Sequence, residues 1–274
     1  MKMAIIGHGF VGKAVDAGFN DPEVEKIIID PIYNTKIEDL KDKDIDLACV
    51  CVPTPMANDG SVNAIMAVEA VEYLRLHTEA LIVLKSTVTP NIVSVLKSRR
   101  VVYNPEFLAE RNAIEEFLNP IVHVFGGHEE DCKLLKKYYD DYSACRQCPT
   151  HYVKPEEASF VKYGINCFLA SKVMWFNQFE NIIRKKSNAR YSRIINAMID
   201  DPRIGASHTT VPGFDGKRGF GGACFPKDTA AFLKYSEDFS ILEEVINSNN
   251  EVRDQYEIDD REKSNNIVYN TSKS

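Results

Sequence analysis

The fold is decided near the start of the chain by the stretch Met3-Ala4-Ile5-Ile6-Gly7-His8-Gly9-Phe10-Val11-Gly12. Its apolar residues 3–6 predict a buried strand, and a helical pattern follows through residue 19. The glycines have the spacing G-x-G-x-x-G, in which the first permits a tight turn, the second admits a pyrophosphate and the third lets helix pack on strand. We therefore predict a dinucleotide-binding turn with contacts from Gly7, Gly9, Phe10, Val11 and Gly12. Such spacings also arise by chance, so the motif needs support from the rest of the chain.

An acidic residue at the end of the second predicted strand gives that support. Residues 26–29 read Lys-Ile-Ile-Ile, and Asp30 follows roughly 20 residues after Gly12, where a carboxylate binds the adenosine ribose hydroxyls. A carboxylate there also repels a 2'-phosphate, which favours NAD over NADP. The alternative is a chance aspartate at a strand end.

Further buried strands are predicted at residues 46–52, 80–84 and 101–103, and residues 121–125 close the sheet. Ligands of doubly wound sheets bind beyond the C-terminal ends of the strands. We therefore expect the residues that follow two of these strands to line the cofactor: Val52, Pro53, Thr54, Ser86 and Thr87. The polar cluster after residue 84 also fits a helix cap, with Thr89 before Pro90.

Two carboxylates follow the predicted strand at residues 101–103, in the stretch Asn104-Pro105-Glu106-Phe107-Leu108-Ala109-Glu110. Glu106 and Glu110 are four residues apart, so on a helical turn they would share a face. This spacing fits an acid-base pair, but in isolation it is more often found on a solvated helix face.

The second half of the chain is predicted to be helical. Pro155-Glu156-Glu157 begins a helix that runs to about residue 184, long enough for a spine between domains or subunits. Lys162 and Asn166 lie one helical turn apart within it. Shorter helices are predicted at residues 191–198, 229–235 and 241–250, and the polar tail from Arg253 is predicted to fray.

The stretch Phe220-Gly221-Gly222-Ala223-Cys224-Phe225-Pro226-Lys227-Asp228 has the features of a nucleophile site. If Pro226 opens a helix, Cys224 lies at its N-terminus, where the helix dipole stabilises a thiolate. Asp228 then lies about one turn further on. The alternative is a glycine turn followed by an inert buried cysteine.

Composition excludes several classes of function. The chain has 274 residues, 44% of them hydrophobic and 27% charged, as in ordinary globular proteins. A net charge of -7 argues against nucleic acid as a partner, and no stretch has the length of a membrane span. The first residues lack a signal-peptide pattern, so we expect a cytoplasmic location. Seven cysteines do not suggest a disulfide framework, and the lone pair Cys145/Cys148 without a second such pair does not predict a metal site.

Two further motifs of the chain are Asp59-Gly60-Ser61 and Arg203-Ile204-Gly205. In kind and order they resemble those of the UDP-glucose 6-dehydrogenases, within the UDP-glucose/GDP-mannose dehydrogenase superfamily. The resemblance covers roughly residues 1–250, and residues 220–228 are its most specific part. It implies that the C6 alcohol of a nucleotide-linked hexose is oxidised to a carboxylate with two NAD per sugar.

The resemblance also implies roles for individual residues. Asp228 and Thr87 hold a water that takes the hydroxyl proton, Lys162 and Asn166 stabilise negative oxygens, and Cys224 forms a thiohemiacetal and then a thioester. Water activated near Glu106 or Glu110 hydrolyses the thioester. Lys227 belongs to the implied cofactor site. The implied substrate site comprises Phe107, Leu108, Ala109, Glu110, Lys162, Asn166, Arg203 (reaching a neighbouring subunit), Lys217, Gly221 and Gly222.

Two features depart from the family pattern. Family members continue into a second α/β domain that clamps the nucleotide, so this chain resembles a short form that lacks the C-terminal nucleotide-binding domain. The loop before the nucleophile is longer and ends in Lys217-Arg218, which we expect to supply diphosphate contacts.

The predicted architecture is a Rossmann-type doubly wound parallel sheet, then a long connecting helix and a small all-helical domain. Residues 1–150 form the NAD-binding domain, 151–252 the helical dimerisation domain with the cysteine loop, and 253–274 a polar tail. We expect a homodimer through the helix near 155–184. A GDP-mannose or other NDP-hexose 6-dehydrogenase is the alternative within this class. A catalytically inactive NAD-binding module is the alternative from another class, and a zinc-dependent alcohol dehydrogenase is remote because clustered Cys/His ligands are lacking.

Overall fold

The computed structural model describes residues 1–269, and these form two compact units. The first consists of Met1–Thr54 and Asn63–Lys162, and the second of Pro55–Val62 and Tyr163–Ser274. The domain limits that the sequence predicts, at residues 150 and 252, stay predictions. The last five residues of the predicted tail, 270–274, lie outside the described part.

The first unit is built on a seven-stranded sheet in the order β2-β1-β3-β4-β5-β6-β7. All neighbouring strands are parallel except β5 and β6, which are antiparallel. This confirms the predicted Rossmann-type architecture, and the strand order reverses between β1 and β3, where such sheets bind ligands. The strands are β1 Lys2–Ile6, β2 Glu25–Ile29, β3 Leu47–Val50, β4 Leu81–Leu84, β5 Val101–Tyr103, β6 His123–Gly126 and β7 Thr150–Val153.

Helices cover both faces of this sheet because alternate residues of its strands are apolar on both sides. In β1, Ala4 and Ile6 belong to one buried cluster, whereas Met3 and Ile5 belong to the other. The helices of this unit are α1 Phe10–Gly18, α2 Ile65–His77, α3 Pro90–Val95, α4 Ala113–Leu118, α5 Glu129–Tyr142 and the first part of α6 Pro155–Lys186. Helix α6 has 32 residues, so the predicted long helix is confirmed.

The second unit is mainly helical. It contains the remainder of α6 together with α7 Tyr191–Met198, α8 Phe225–Ser236, α9 Ser240–Arg253 and α10 Asp260–Ser264. A buried cluster of Ala170, Met174 and Phe220 joins the middle of α6 to the stretch before α8. Within the described chain, none of the helices combines the length and the apolar character needed to cross a membrane.

Three local predictions are wrong. The sequence predicts that residues 121–125 close the sheet, but strand β7 lies beyond them; it gives no sequence signal because its residues are half-exposed and show no apolar run. Glu106 and Glu110 do not share a helical turn, since residues 104–109 are not helical and Glu110 begins a 3-10 turn, Glu110–Asn112. The predicted fraying is wrong for residues 253–269, because Arg253, Glu262, Ile267 and Tyr269 are buried.

Candidate functional site

The glycine turn after β1 has the geometry that its sequence predicts. Gly7 has φ +88°, and a side chain there would lie 2.7 Å from the Cys51 carbonyl oxygen. A Cβ on Gly12 would lie 2.0 Å from the Gly7 carbonyl oxygen, so only glycine lets α1 pack this closely. A Cβ on Gly9 would meet nothing within 4 Å. The turn is therefore closed on the protein side at Gly7 and Gly12 and open at Gly9, at the N-terminus of α1.

Asp30 lies against this turn. Its carboxylate accepts a hydrogen bond of 2.7 Å from the His8 N–H and another of 3.0 Å from the Ile32 N–H. Burial opposes ionisation of Asp30, but these backbone bonds and the charge of Lys13 outweigh it and lower the pKa. A carboxylate has about four lone-pair sites, so Asp30 retains capacity for ribose hydroxyls.

The ends of β3 and β4 meet through Ser86. Its hydroxyl donates to the Val52 carbonyl at 2.7 Å, which joins the two motifs predicted to line the cofactor. Thr54 and Thr87 are buried beside these strand ends, whereas Pro53 is exposed. Residues 85–89 and 52–54 therefore form one polar edge of the sheet, next to the point where the strand order reverses.

Glu106 and Lys162 form a buried pair within the first unit. The Lys162 ammonium donates to the Glu106 carbonyl at 2.5 Å and lies 3.5 Å from its carboxylate. The other carboxylate oxygen accepts from the Leu108 N–H at 2.7 Å, and the ammonium lies 5.5 Å from the centre of the Phe107 ring. The pair thus places a buried cation beside the residues predicted to line the sugar. Glu110 and Ala109 are exposed.

A cavity of about 170 Å³ opens beside this pair. Its lining includes Glu106, Phe107, Leu108, His123 and the buried Lys85. Burial lowers the pKa of Lys85, although the nearby thiols and Glu106 oppose this, and its ammonium donates to the Asn104 side chain at 3.0 Å. Sequence reasoning did not single out Lys85 as a buried cation.

The second unit brings four predicted residues together: Asn166, Cys224, Lys227 and Asp228. Cys224 occupies the N-cap position of α8, as predicted, and the Asp228 N–H donates to its carbonyl at 2.8 Å. The Asp228 carboxylate is buried, and it accepts from the Asn166 amide at 2.6 Å and from the Lys227 ammonium at 2.5 Å. Lys227, which the sequence assigns to the cofactor, is thus the ion-pair partner of Asp228.

The glycine turn before Cys224 is held by residues that sequence reasoning missed. The Phe220 N–H donates to Asn249 at 2.7 Å, and the Gly222 N–H donates to the carboxylate of Glu262 at 3.1 Å. Gly222 has φ +78°, and a Cβ on Gly221 would lie 1.8 Å from the Arg253 guanidinium. The spacing Asp259-x-x-Glu262 is a capping box, and it could have identified α10 from the sequence.

The remaining predicted substrate residues are engaged by the protein itself. Arg203 is exposed and pairs with Asp201 at 2.5 Å. The Lys217 ammonium donates to the Glu257 carbonyl at 2.6 Å, and the Arg218 guanidinium pairs with Glu180 at 2.5 Å. Over residues 1–269, the structure contains no group of three or more His, Cys, Asp or Glu side chains arranged to hold a metal ion.

Two family domains match the chain. Residues 43–143 match the NAD binding domain of the UDP-glucose/GDP-mannose dehydrogenase family, and residues 156–254 match its central domain. The glycine turn at residues 7–12 and Asp30 precede the first matched range.

Individual relatives agree with the domain matches. A UDP-glucose 6-dehydrogenase of Rickettsia bellii is 33% identical over 246 residues, which are 84% of this chain and 54% of that protein. One of Rickettsia typhi is 30% identical, with 91% of this chain and 67% of that protein covered. The structure of a UDP-glucose dehydrogenase from Pyrobaculum islandicum superposes with a TM-score of 0.74 at 26% identity, covering 91% of this chain and 68% of that one. The chain thus spans about half the length of the first of these relatives.

Proposed function

Because the chain belongs to the UDP-glucose/GDP-mannose dehydrogenase family, we propose that it oxidises UDP-glucose to UDP-glucuronate with NAD. The observation that carries the proposal is Cys224 at the N-terminus of α8, one turn before a buried Asp228 that is bound by Asn166. A thiol, a carboxylate and an amide in this arrangement suit covalent oxidation of an aldehyde. We assign NAD binding to residues 1–150 and the nucleophile to residues 151–252.

The glycine turn at residues 7–12 fits NAD. The open side of Gly9 lies at the N-terminus of α1, where backbone N–H groups favour a pyrophosphate, and Asp30 is positioned for the ribose. Val52, Pro53, Thr54, Ser86 and Thr87 supply the neighbouring wall. NAD, when bound, accepts the hydride in each of the two oxidations. Since Lys227 is committed to Asp228, we assign it a supporting rather than a direct role at the cofactor.

In the first oxidation, the C6 hydroxyl loses its proton to a water held by Asp228 and Thr87. Asp228 suits this role because its buried carboxylate is held in place by Lys227 and Asn166. Lys162 stabilises the negative charge that develops on the C6 oxygen. Its ammonium is buried and lies close to the Phe107 ring, so water does not screen that charge.

In the second oxidation, the Cys224 thiolate forms a bond to the aldehyde carbon and the carbonyl oxygen takes up a proton, giving a thiohemiacetal. Removal of a hydride and a proton from this adduct gives the Cys224 thioester. Water then adds to the thioester carbon, the C–S bond breaks, and the carboxylate product and the thiol are released. Asn166 stabilises the oxyanion, and Glu106 or Glu110 activates the water. Glu106 is the better placed of the two, since it is buried beside Lys162.

The substrate contacts are proposals that rest on the family resemblance. Phe107, Leu108 and Ala109 line the sugar, Gly221 and Gly222 meet the diphosphate, and Arg203 serves a neighbouring subunit. Lys217 and Arg218 would have to leave the Glu257 carbonyl and Glu180 in order to bind a diphosphate. Alanine at both positions should raise the KM for UDP-glucose, and an unchanged KM would remove them from the site.

A homodimer through α6 is part of the proposal. Phe168, Trp175 and Ile182 are spaced seven residues apart on this helix, which is the repeat of a helix–helix seam. Their exposed fractions are 68%, 52% and 57%, so they form an apolar stripe on the surface of the second unit. A second copy of α6 would cover the stripe.

The experiment that tests the activity is NADH formation by the purified chain. We expect NADH to form with UDP-glucose and NAD, and little to form when GDP-mannose replaces UDP-glucose or when NADP replaces NAD. The Cys224→Ala variant should form no NADH from the second oxidation. NAD binding without NADH from any nucleotide sugar would instead identify an inactive NAD-binding module.

A further inference from the structure

A buried carboxylate from the C-terminal segment holds the glycine turn that precedes Cys224. Glu262 lies in α10 and is fully buried. One of its oxygens accepts from the Gly222 N–H at 3.1 Å, the Arg253 guanidinium at 2.8 Å and the Tyr269 hydroxyl at 2.7 Å. The other accepts from the Asp259 N–H at 2.8 Å. Four donors therefore converge on a single side chain that lies 40 residues beyond Gly222.

These contacts keep the carboxylate charged. Burial raises the pKa of Glu262, but the hydrogen bonds from Asp259, Tyr269, Gly222 and Arg253 outweigh burial, so the net effect is a lowered pKa. Arg253, also buried, makes a second ion pair with Asp215 at 2.8 Å. A buried ion pair of this kind is costly to break on one side, which favours a single fixed arrangement.

The turn has little freedom on its other sides. Asn249 accepts from the Phe220 N–H and donates to the Phe220 carbonyl at 3.1 Å, and Asn177 accepts from the Gly219 N–H at 3.0 Å. Gly221 packs so closely on Arg253 and Glu262 that no side chain fits there. Gly222 donates its N–H to Glu262, and only Ala223 separates Gly222 from Cys224.

We propose that Glu262 is a positioning residue for Cys224, acting through the Gly222 N–H to fix the backbone that enters the nucleophile. The importance of Glu262 for catalysis rests on the proposed function, but the contacts of Glu262 do not depend on the substrate. A nucleophile displaced by about 1 Å can lose on the order of 100-fold in rate, so a holder two residues away has a large effect. The C-terminal segment 259–269 is then part of the nucleophile's support.

The test measures the alkylation of Cys224 by iodoacetamide in the full chain, followed by peptide mass spectrometry across a range of pH. Glu262→Ala removes the acceptor of the Gly222 N–H, and we expect the rate at Cys224 or its pH dependence to change by about tenfold. Glu262→Gln keeps an amide oxygen that can accept from Gly222, so it should restore most of the wild-type behaviour. Glu257→Ala, an exposed position two residues before this segment, is the control and should leave Cys224 unchanged.

The outcomes separate positioning from simpler roles. If Glu262→Ala lowers the melting temperature but leaves the rate and pH profile of Cys224 alkylation unchanged, Glu262 only stabilises the fold and the proposal is wrong. If Glu262→Ala does not fold, Tyr269→Phe removes one donor to the same carboxylate and should change the rate or pH profile of Cys224 alkylation by less than tenfold. A rate and pH profile identical to wild type in Tyr269→Phe would then overturn the proposal. Tighter binding of UDP to Glu262→Ala, with unchanged alkylation, would mean that the carboxylate competes with a ligand anion, which also overturns the proposal. Because alkylation needs no dehydrogenase activity, an inactive chain would refute the proposed function and leave this test intact.

Discussion

Asp228 has a different partner on each carboxylate oxygen, Lys227 beside it in the chain and Asn166 on α6. The Lys227 ammonium forms an ion pair with the buried carboxylate, and the Asn166 amide fixes its orientation. Lys162, one turn from Asn166, is held in the same manner by Glu106. At the scale of single residues, therefore, Asp228 and Lys162 each have a buried partner that fixes the direction of the side chain.

The fingerprint glycines allow a matched pair of substitutions. Gly12→Ala would place a Cβ 2.0 Å from the Gly7 carbonyl oxygen, so we expect a loss of about 1–3 kcal/mol in the free energy of unfolding together with a loss of NAD binding. Gly9→Ala meets open space, so the melting temperature should stay near wild type while NAD affinity falls. Thermal melts and NAD titrations check both. Equal losses of stability in the two variants would contradict the geometry of the turn.

The buried ion pair of Lys227 and Asp228 should be costly to split. Lys227→Met or Asp228→Asn leaves one buried group without its partner, and we expect each to destabilise the chain by about 3–5 kcal/mol. The double variant should lose clearly less than the sum of the two, because neither charge remains. Urea unfolding of the four proteins measures the coupling. If the losses in free energy of unfolding of the two single variants add up to that of the double variant, the interaction between Lys227 and Asp228 does not stabilise the fold.

At the scale of elements, the sequence predicts those structures whose signals are local. The run from β1 to α1, the long helix α6 and the proline-opened helix α8 each carry their own apolar periodicity or cap. Strand β7 carries none and is defined only by its pairing with β6. Helix α10 carries a local capping box, but its segment of charged residues is typical of a solvated tail, and nothing local reveals that Arg253 and Glu262 form an ion pair in the interior.

His123 in β6 gives the sheet a dependence on pH. Burial and the charges of Lys85 and Lys136 lower its pKa to about 4, against the opposing effect of Asp140. As the pH falls below about 6.5, His123 takes up a proton in the unfolded chain but not in the folded chain. The contribution of neutral His123 to stability is therefore complete above about pH 6.5 and is lost as the pH is lowered toward 4. His123→Gln should flatten the decline in melting temperature between pH 7 and about pH 5. The exposed His151→Gln is the control, and a decline that is identical in wild type and His123→Gln would contradict the assignment.

For the whole molecule, the sequence allows the fold class to be predicted and candidate site residues to be named, because the glycine turn, the strand ends and the nucleophile stretch are contiguous motifs. The roles of those residues stay predictions. The sequence does not allow the partners of these residues to be predicted, since Glu106 with Lys162 and Gly222 with Glu262 are pairs of distant positions. The assignment of Glu106 and Glu110 to one helical turn fails for a related reason, because spacing alone does not show that residues 104–109 are extended rather than helical.

The stripe on α6 makes assembly testable. Trp175→Glu would bury a charge in the proposed seam, so we expect a shift from dimer to monomer in size-exclusion chromatography with light scattering. Arg184→Glu also adds negative charge, but it lies on the opposite side of α6 and should leave the dimer intact. A wild-type chain that is monomeric at all concentrations would refute the seam.

The central claim is that this chain carries out both oxidations of one sugar through Cys224, and the ratio of NADH formed to UDP-glucose consumed tests it most directly. The account predicts two NADH per UDP-glucose in the wild type, with UDP-glucuronate as product, and no thioester-dependent second NADH in Cys224→Ser. A ratio of one with accumulating aldehyde in the wild type, or a ratio of two that survives Cys224→Ser, would contradict it.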